Sequence, residues 1–204
     1  MAVGDLTTLS AVREHLQLVS GQTDQDALIG TLITQASRMI GRYTGRQFAA
    51  TAAGTVYKFK YDGQGHLAFT PYDLQSATLV QIDTDTATPT TLVASTDYYL
   101  MPLNADDGVY TSMQIRNYSP PLKSSTIDYQ PFRQVSITGT WGFASVPSDV
   151  ALACNMLVGW LMRNQSTIPS QGMESLGDRF GPVAWPTAVR QLLQTYTAYG
   201  FGRG

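Results

Sequence analysis

Residues 23–48, TDQDALIGTLITQASRMIGRYTGRQF, decide how this chain folds. Leu28, Ile29, Leu32, Ile33, Ala36, Met39, Ile40 and Tyr43 recur at helical spacing and form one wide apolar stripe. The stretch therefore predicts a long amphipathic helix. Thr23 is placed to cap its first turn, with Asp26 three residues on, and Gly45 stands where a left-handed residue closes a helix. Far along the chain, Val146-Pro147-Ser148-Asp149-Val150 opens a second apolar helix. Neither helix can bury its stripe alone, so the two ends of the chain must meet around whatever lies between them.

Outward from these helices the pattern changes twice. Leu9 to Leu18 predicts a short first helix with Thr7 or Thr8 as cap. From Thr55 the period becomes alternating: Val56–Tyr61, His66–Thr70, Thr78–Ile82, Thr91–Ala94, Tyr98–Met101, Val109–Arg116 and Val135–Trp141 have strand composition. Asp62-Gly63-Gln64-Gly65 is expected to turn the first strand back on the second as a hairpin. The run Val150, Leu152, Met156, Leu157, Val158, Trp160 and Leu161 is apolar almost all round, which predicts burial on several sides. Residues 165–182 read as a polar loop, and a last helix starts at Pro186 with Val189, Leu192, Leu193 and Tyr196. The fold class is thus α+β: a helical bundle formed by the N- and C-terminal segments, with an inserted antiparallel β domain, a small sandwich or barrel. The expected parts are a helical part at 1–54, the β insertion at 55–144, a helical part at 145–198 packing on the first, and a tail at 199–204.

The chain has 204 residues, a formal net charge of −2, and 43% hydrophobic content, enough for a real core. Its Lys and Arg are scattered and not interleaved with aromatics, which argues against tight nucleic-acid or membrane-surface binding. Charged residues make up 14%, well below the usual share of about a quarter. Either much of the surface faces other subunits, where charge is depleted, or it is a neutral polar surface with no partner. Cys154 is the one cysteine, and it falls in an apolar run, where it reads as a small buried hydrophobe. No secretion signal is read at the N-terminus, and no apolar run approaches the roughly 20 residues that cross a bilayer. Folding in a reducing cytoplasm is expected.

Catalytic signals are weak throughout. His15 and His66 lie in different regions with no carboxylate or cysteine at ligand spacing, and no nucleophile-elbow, phosphate-loop or zinc-protease motif occurs. Gly63-Gln64-Gly65 lacks the third glycine of a dinucleotide loop. Asp83 and Asp85 could hold calcium in principle, but the terminal Glu of a calcium loop is missing, and a solvated turn is the simpler reading. Asp106-Asp107-Gly108 is turn chemistry. Tyr57, Phe59, Tyr61, Phe69, Tyr98, Tyr99, Tyr110 and Trp141 would line a carbohydrate face if exposed, or pack across strands if buried. No catalytic, cofactor or metal site is expected. The tail is different. Tyr199, Phe201 and Arg203 are residue types enriched at interface hot spots, spaced by glycines that allow close backbone approach, and they are the expected partner-binding residues.

Four segments taken together resemble a known family. They are Arg42-Tyr43-Thr44-Gly45-Arg46-Gln47-Phe48, Ser95-Thr96-Asp97-Tyr98-Tyr99-Leu100, Trp141-Gly142-Phe143-Ala144-Ser145-Val146-Pro147-Ser148-Asp149-Val150, and Trp185-Pro186-Thr187-Ala188-Val189-Arg190-Gln191-Leu192-Leu193. In order and spacing they resemble the head–tail connector (adaptor) proteins of long-tailed bacteriophages, over nearly the whole chain. The β region is larger than in the minimal all-helical members. The resemblance implies a non-enzymatic, cofactor-free protein of the virion neck: a ring of twelve subunits under the portal protein that extends the DNA channel. DNA would pass without specific binding, and the lower face would meet a stopper or tail-completion protein. It also implies that the C-terminal segment, with Tyr199, Phe201 and Arg203, grips the portal. Another neck component, or a module binding carbohydrate or a host surface through the β region, is the alternative.

Overall fold

The computed structural model describes residues 4–19, 21, 23–62, 65–84, 87–105, 107–116, 133–164 and 185–197. The chain divides into two compact units, one made of Met1–Ala49 with Ser145–Gly204 and the other of Ala50–Ala144.

The first unit is helical: α1 (Leu9–His15), α2 (Asp26–Thr44), α3 (Ser148–Asn164) and α4 (Thr187–Gln194). Helix α3 packs against all three others. Its buried residues Val150, Ala153, Cys154, Leu157, Val158 and Leu161 follow helical spacing, and Gly159 adds a further side. A Cβ on Gly159 would stand 2.9 Å from Leu16 Cδ2, so the glycine lets α1 close on α3. Helix α2 buries Ile29, Leu32, Ile33, Ala36 and Ile40 of the expected stripe. Leu28 and Leu152 do not join the core; both are exposed at the rim, one position off the buried faces.

Helix ends differ from expectation in instructive ways. Thr23 does not cap α2. Gln25 occupies the cap position without a side-chain hydrogen bond, because residues 23–26 close into a turn in which Asp26 N donates to the Thr23 carbonyl (3.0 Å). The Asp26 carboxylate stands in the first turn, where it complements the helix dipole, and pairs with Arg13 of α1. Gly45 closes α2 in the left-handed conformation (φ 65°), as its position predicted. Helix α1 is capped by the Thr8 hydroxyl but stops at His15 rather than Leu18, because Gln17 turns left-handed (φ 53°) and Leu18 N donates back to the Arg13 carbonyl. Helix α4 starts one residue after Pro186 and buries Val189 and Leu193. Around it, Trp185 packs on Tyr43 with ring centroids 5.2 Å apart, and Tyr196 meets Phe48 edge-on at 5.6 Å.

The N-terminal residues Asp5 to Thr7 are pinned across α2 and α3. Leu6 is buried and its N–H donates to the buried Ser37 hydroxyl (3.0 Å); the Thr7 hydroxyl donates to Asn155 Oδ1 (2.7 Å), and Thr34 donates to Asp5 (3.0 Å). Sequence pattern does not reveal this. A serine inside an apolar stripe looks like a defect until the backbone donor it satisfies is known.

The second unit holds seven strands: β1 (Thr55–Tyr61), β2 (His66–Ala68), β3 (Leu74–Ile82), β4 (Thr90–Thr91), β5 (Tyr98–Met101), β6 (Ser112–Ile115) and β7 (Arg133–Trp141). They form two antiparallel sheets, in the orders β1-β7-β3-β4 and β2-β6-β5. Both sheets contribute to one core built on Tyr61, Phe69, Leu74, Met113, Ile137 and Trp141. This is the small sandwich of the two forms expected; the sheets stay open, so the barrel is not formed. The β1–β2 hairpin is also not formed. β1 pairs with β7 and β2 with β6, so the turn at 62–65 carries the chain from one sheet to the other. Gly65 (φ +84°) makes this possible, its N–H bonded to the Tyr61 hydroxyl at 3.0 Å.

Gly139, at the centre of β7, is the tightest point of the sheet. A Cβ there would lie 2.0 Å from the Ser76 carbonyl oxygen, beside the two register shifts in the β3–β7 ladder. Gly30 in α2 has nothing within 4 Å of its would-be Cβ. Gly139→Ala should therefore destabilise the protein by about 1–3 kcal/mol through overpacking, whereas Gly30→Ala should stabilise it by about 0.5–1 kcal/mol through helix propensity. Urea denaturation of the two variants checks both signs; a neutral Gly139→Ala would contradict the close approach of β3 and β7.

Candidate functional site

The polar residues singled out in the sequence are not brought together. His15 lies on α1 and His66 on β2, in different units, both exposed. Asp83 is paired with Arg133 (3.0 Å) where β3 and β7 end, so its carboxylate serves the sheet. Asp85, Gly63, Gln64 and Asp106 lie outside the described residues, while Gly108 closes a turn onto the Ala105 carbonyl (2.9 Å). Among the described residues no three His, Cys, Asp or Glu side chains are placed to hold a metal ion. No described helix is long and apolar enough to cross a membrane.

The aromatics form a core rather than a binding face. Trp141 is fully buried, and its indole N–H donates to the Thr55 carbonyl (3.1 Å). Around it stand Tyr57 (4.9 Å, edge-on), Phe59 (5.6 Å), Phe69 (5.7 Å, edge-on) and Tyr72 (6.3 Å, edge-on). Tyr72, which sequence reading passed over, stacks on Tyr57 at 4.0 Å. Burial, and then the neighbouring Tyr72, raise the Tyr57 hydroxyl above its ordinary pKa. Tyr61, Phe69 and Tyr98 are buried as well. A sugar-binding platform needs exposed ring faces, and those that Trp141 and Phe69 would supply are closed.

Cys154 is fully buried with its sulfur 3.7 Å from the Ser37 hydroxyl. Burial pushes the thiol up to about 12, with Asp5 adding to the rise and the Ser37 hydrogen bond opposing it. It is the small core residue its sequence context predicted, unfit as a nucleophile.

What the described surface does offer is exposed aliphatics. Val19, Leu28 and Leu152 are exposed on the helical unit, and Val56, Leu79, Val93 and Leu103 on the β unit. Val56 and Leu79 both stand opposite Thr138 across β7, one on each side, on the outer face of the four-stranded sheet. The expected anchors Tyr199, Phe201 and Arg203 lie outside the described residues.

Fold and surface together define a protein with contact surfaces and, among its described residues, no assembled catalytic or metal cluster. The family model of head completion proteins matches residues 5–199, and the chain belongs to that family. The whole chain also superposes on a chain from the neck of an empty gene transfer agent particle, computed with C6 symmetry, with TM-score 0.60 and 16% identity, covering 96% of that chain. A chain from the virion of a native gene transfer agent particle matches over the same extents with TM-score 0.55 and 18% identity. No curated protein sequence matches. The resemblance read from the residues, to neck proteins of tailed phages, is borne out at this level.

The buried thiol gives a direct test. Native protein at pH 8 should not react with a disulfide reagent, and one thiol should titrate after denaturation. Because the folded thiol is raised above its unfolded value of 9.0, its contribution to stability is present below about pH 9 and is lost as pH rises toward about 12. The alkaline fall in unfolding free energy should shrink in Cys154→Ala; rapid labelling of the native protein would contradict the α2–α3 packing.

Proposed function

We propose that this protein is a non-enzymatic adaptor of the head–tail neck: it assembles as a ring, of twelve subunits, on the portal protein and extends the DNA channel. Its other face receives a stopper or tail-completion protein, and the ring belongs to the virion after assembly in the host cytoplasm. The observation that carries the reading is the family match over residues 5–199. Likeness of the whole fold to chains of gene transfer agent necks and virions supports it. A twelvefold ring is compatible with the sixfold symmetry used for one of those necks. The low charge, 14% of residues, fits a surface largely shared with neighbours. It also suits a channel that must let DNA pass, since each phosphate contact by Lys or Arg adds salt-dependent affinity.

In this reading Tyr199, Phe201 and Arg203 dock on the portal. The description of the family as head completion proteins also fits a neighbouring neck component, and portal binding separates the two. Deleting residues 199–204 should leave the circular dichroism spectrum and unfolding midpoint unchanged while lowering affinity for purified portal at least a hundredfold, the scale of losing hot-spot side chains. Undiminished rings on portal after the deletion would remove the docking role, and intact protein that never binds portal would favour the other neck component.

A further inference from the structure

Most sheet edges in the β unit are short. β4 has two residues, β2 three and β5 four. β1 is the exception: seven residues at the edge of the four-stranded sheet, paired with β7 residue for residue from Thr55↔Gly139 to Tyr61↔Arg133 without a bulge. On its far side Val56 to Phe59 meet no backbone partner among the described residues. A long, regular, unpaired edge is a template for another strand, and a second copy of β1 is the one strand always present at equal concentration. Side chains alternate along it: Tyr57, Phe59 and Tyr61 face the sandwich core, while Val56, Lys58 and Lys60 face outward and are exposed.

We infer that Lys58 guards this edge against a second copy of the chain. In antiparallel pairing of β1 with itself, the register centred on residue 58 sets Lys58 against Lys58 of the other copy. The register centred on residue 59 sets Lys58 against Lys60. Both registers of greatest overlap thus place like charges directly opposite on one face, an arrangement that disfavours pairing. Lys58 makes no ion pair among the described residues, so no neighbouring carboxylate neutralises it. The outer face it shares with Gln81, Gln134, Ser136 and Thr138 carries no carboxylate that could answer a lysine from the other copy. The guard keeps copies from joining edge to edge, a two-fold contact that would compete with any head-to-tail ring. It holds whatever the ring order and whether or not the tail binds portal.

The test uses the full chain without portal. Lys58→Thr keeps strand propensity and removes the charge, and Lys58→Arg keeps the charge. Sedimentation should show self-association of Lys58→Thr strengthened about fivefold or more over wild type, with Lys58→Arg unchanged, and hydrogen exchange should show new protection at Val56–Lys60 in the associated form. Wild type carries its own version of the experiment, because about 1 M salt shortens the screening length to about 3 Å and should bring on the same protection. If Lys58→Thr matches wild type in mass at every concentration, and salt leaves the β1 amides unprotected, the guard does not exist. Association whose protection maps elsewhere overturns it equally.

Discussion

The helical unit depends on one contact, that of α2 with α3. These helices come from opposite sides of the β unit in the sequence, and each presents an apolar face that water would penalise. Ile29, Leu32, Ile33, Ala36 and Ile40 on one side and Val150, Ala153, Leu157, Val158 and Leu161 on the other are all buried. At about 1.5–3 kcal/mol for each large aliphatic, their burial outweighs the net stability of a typical domain, which is what remains after chain entropy is subtracted. Everything else in the helical unit is arranged on α3: α1 reaches it through the gap at Gly159, and α4 adds Val189 and Leu193. The polar line from the Leu6 amide through the Ser37 hydroxyl to the Cys154 sulfur crosses this contact and fixes its register, since a slip of either helix would strand a buried donor.

The β unit solves its own problem separately. Two open sheets close over Trp141 and its ring of aromatics, and the chain changes sheets at the turn after β1 instead of forming local hairpins. Because residues 50 and 144 bound it on either side, a unit that folds around its own core can stand in the middle of a helical chain without breaking the helical core. For a neck protein this separates assembly surfaces from the framework that carries them.

Much of this was legible in the residues, for physical reasons. Periodicity located α2, α3 and most strands because burial of one face dictates spacing, and Gly45 marked its helix end because left-handed backbone favours glycine. The aromatics were rightly taken as packing groups. What escaped was set by partners distant in sequence. Pairing of β1 with β7 rather than β2 depends on which sheet each strand joins, and local turn residues carry no information on that. Ser37 reads as a flaw until Leu6 arrives, and Thr23 reads as a cap until Asp26 is drawn to Arg13. The family was legible because four segments kept their order, although each alone is short. The docking residues Tyr199, Phe201 and Arg203 rest on composition and resemblance, and the described structure ends before them.

The most direct test of the central contact is native-state hydrogen exchange on the intact chain. If α2 and α3 form one cooperative core, the amides of Ile33–Ile40 and Ala153–Leu161 should be the slowest of the helical unit and share one opening free energy, which falls by the same amount in both helices when denaturant is raised. Exchange of α3 at its own, distinctly lower opening free energy while α2 stays protected would show two independent helices and contradict the account.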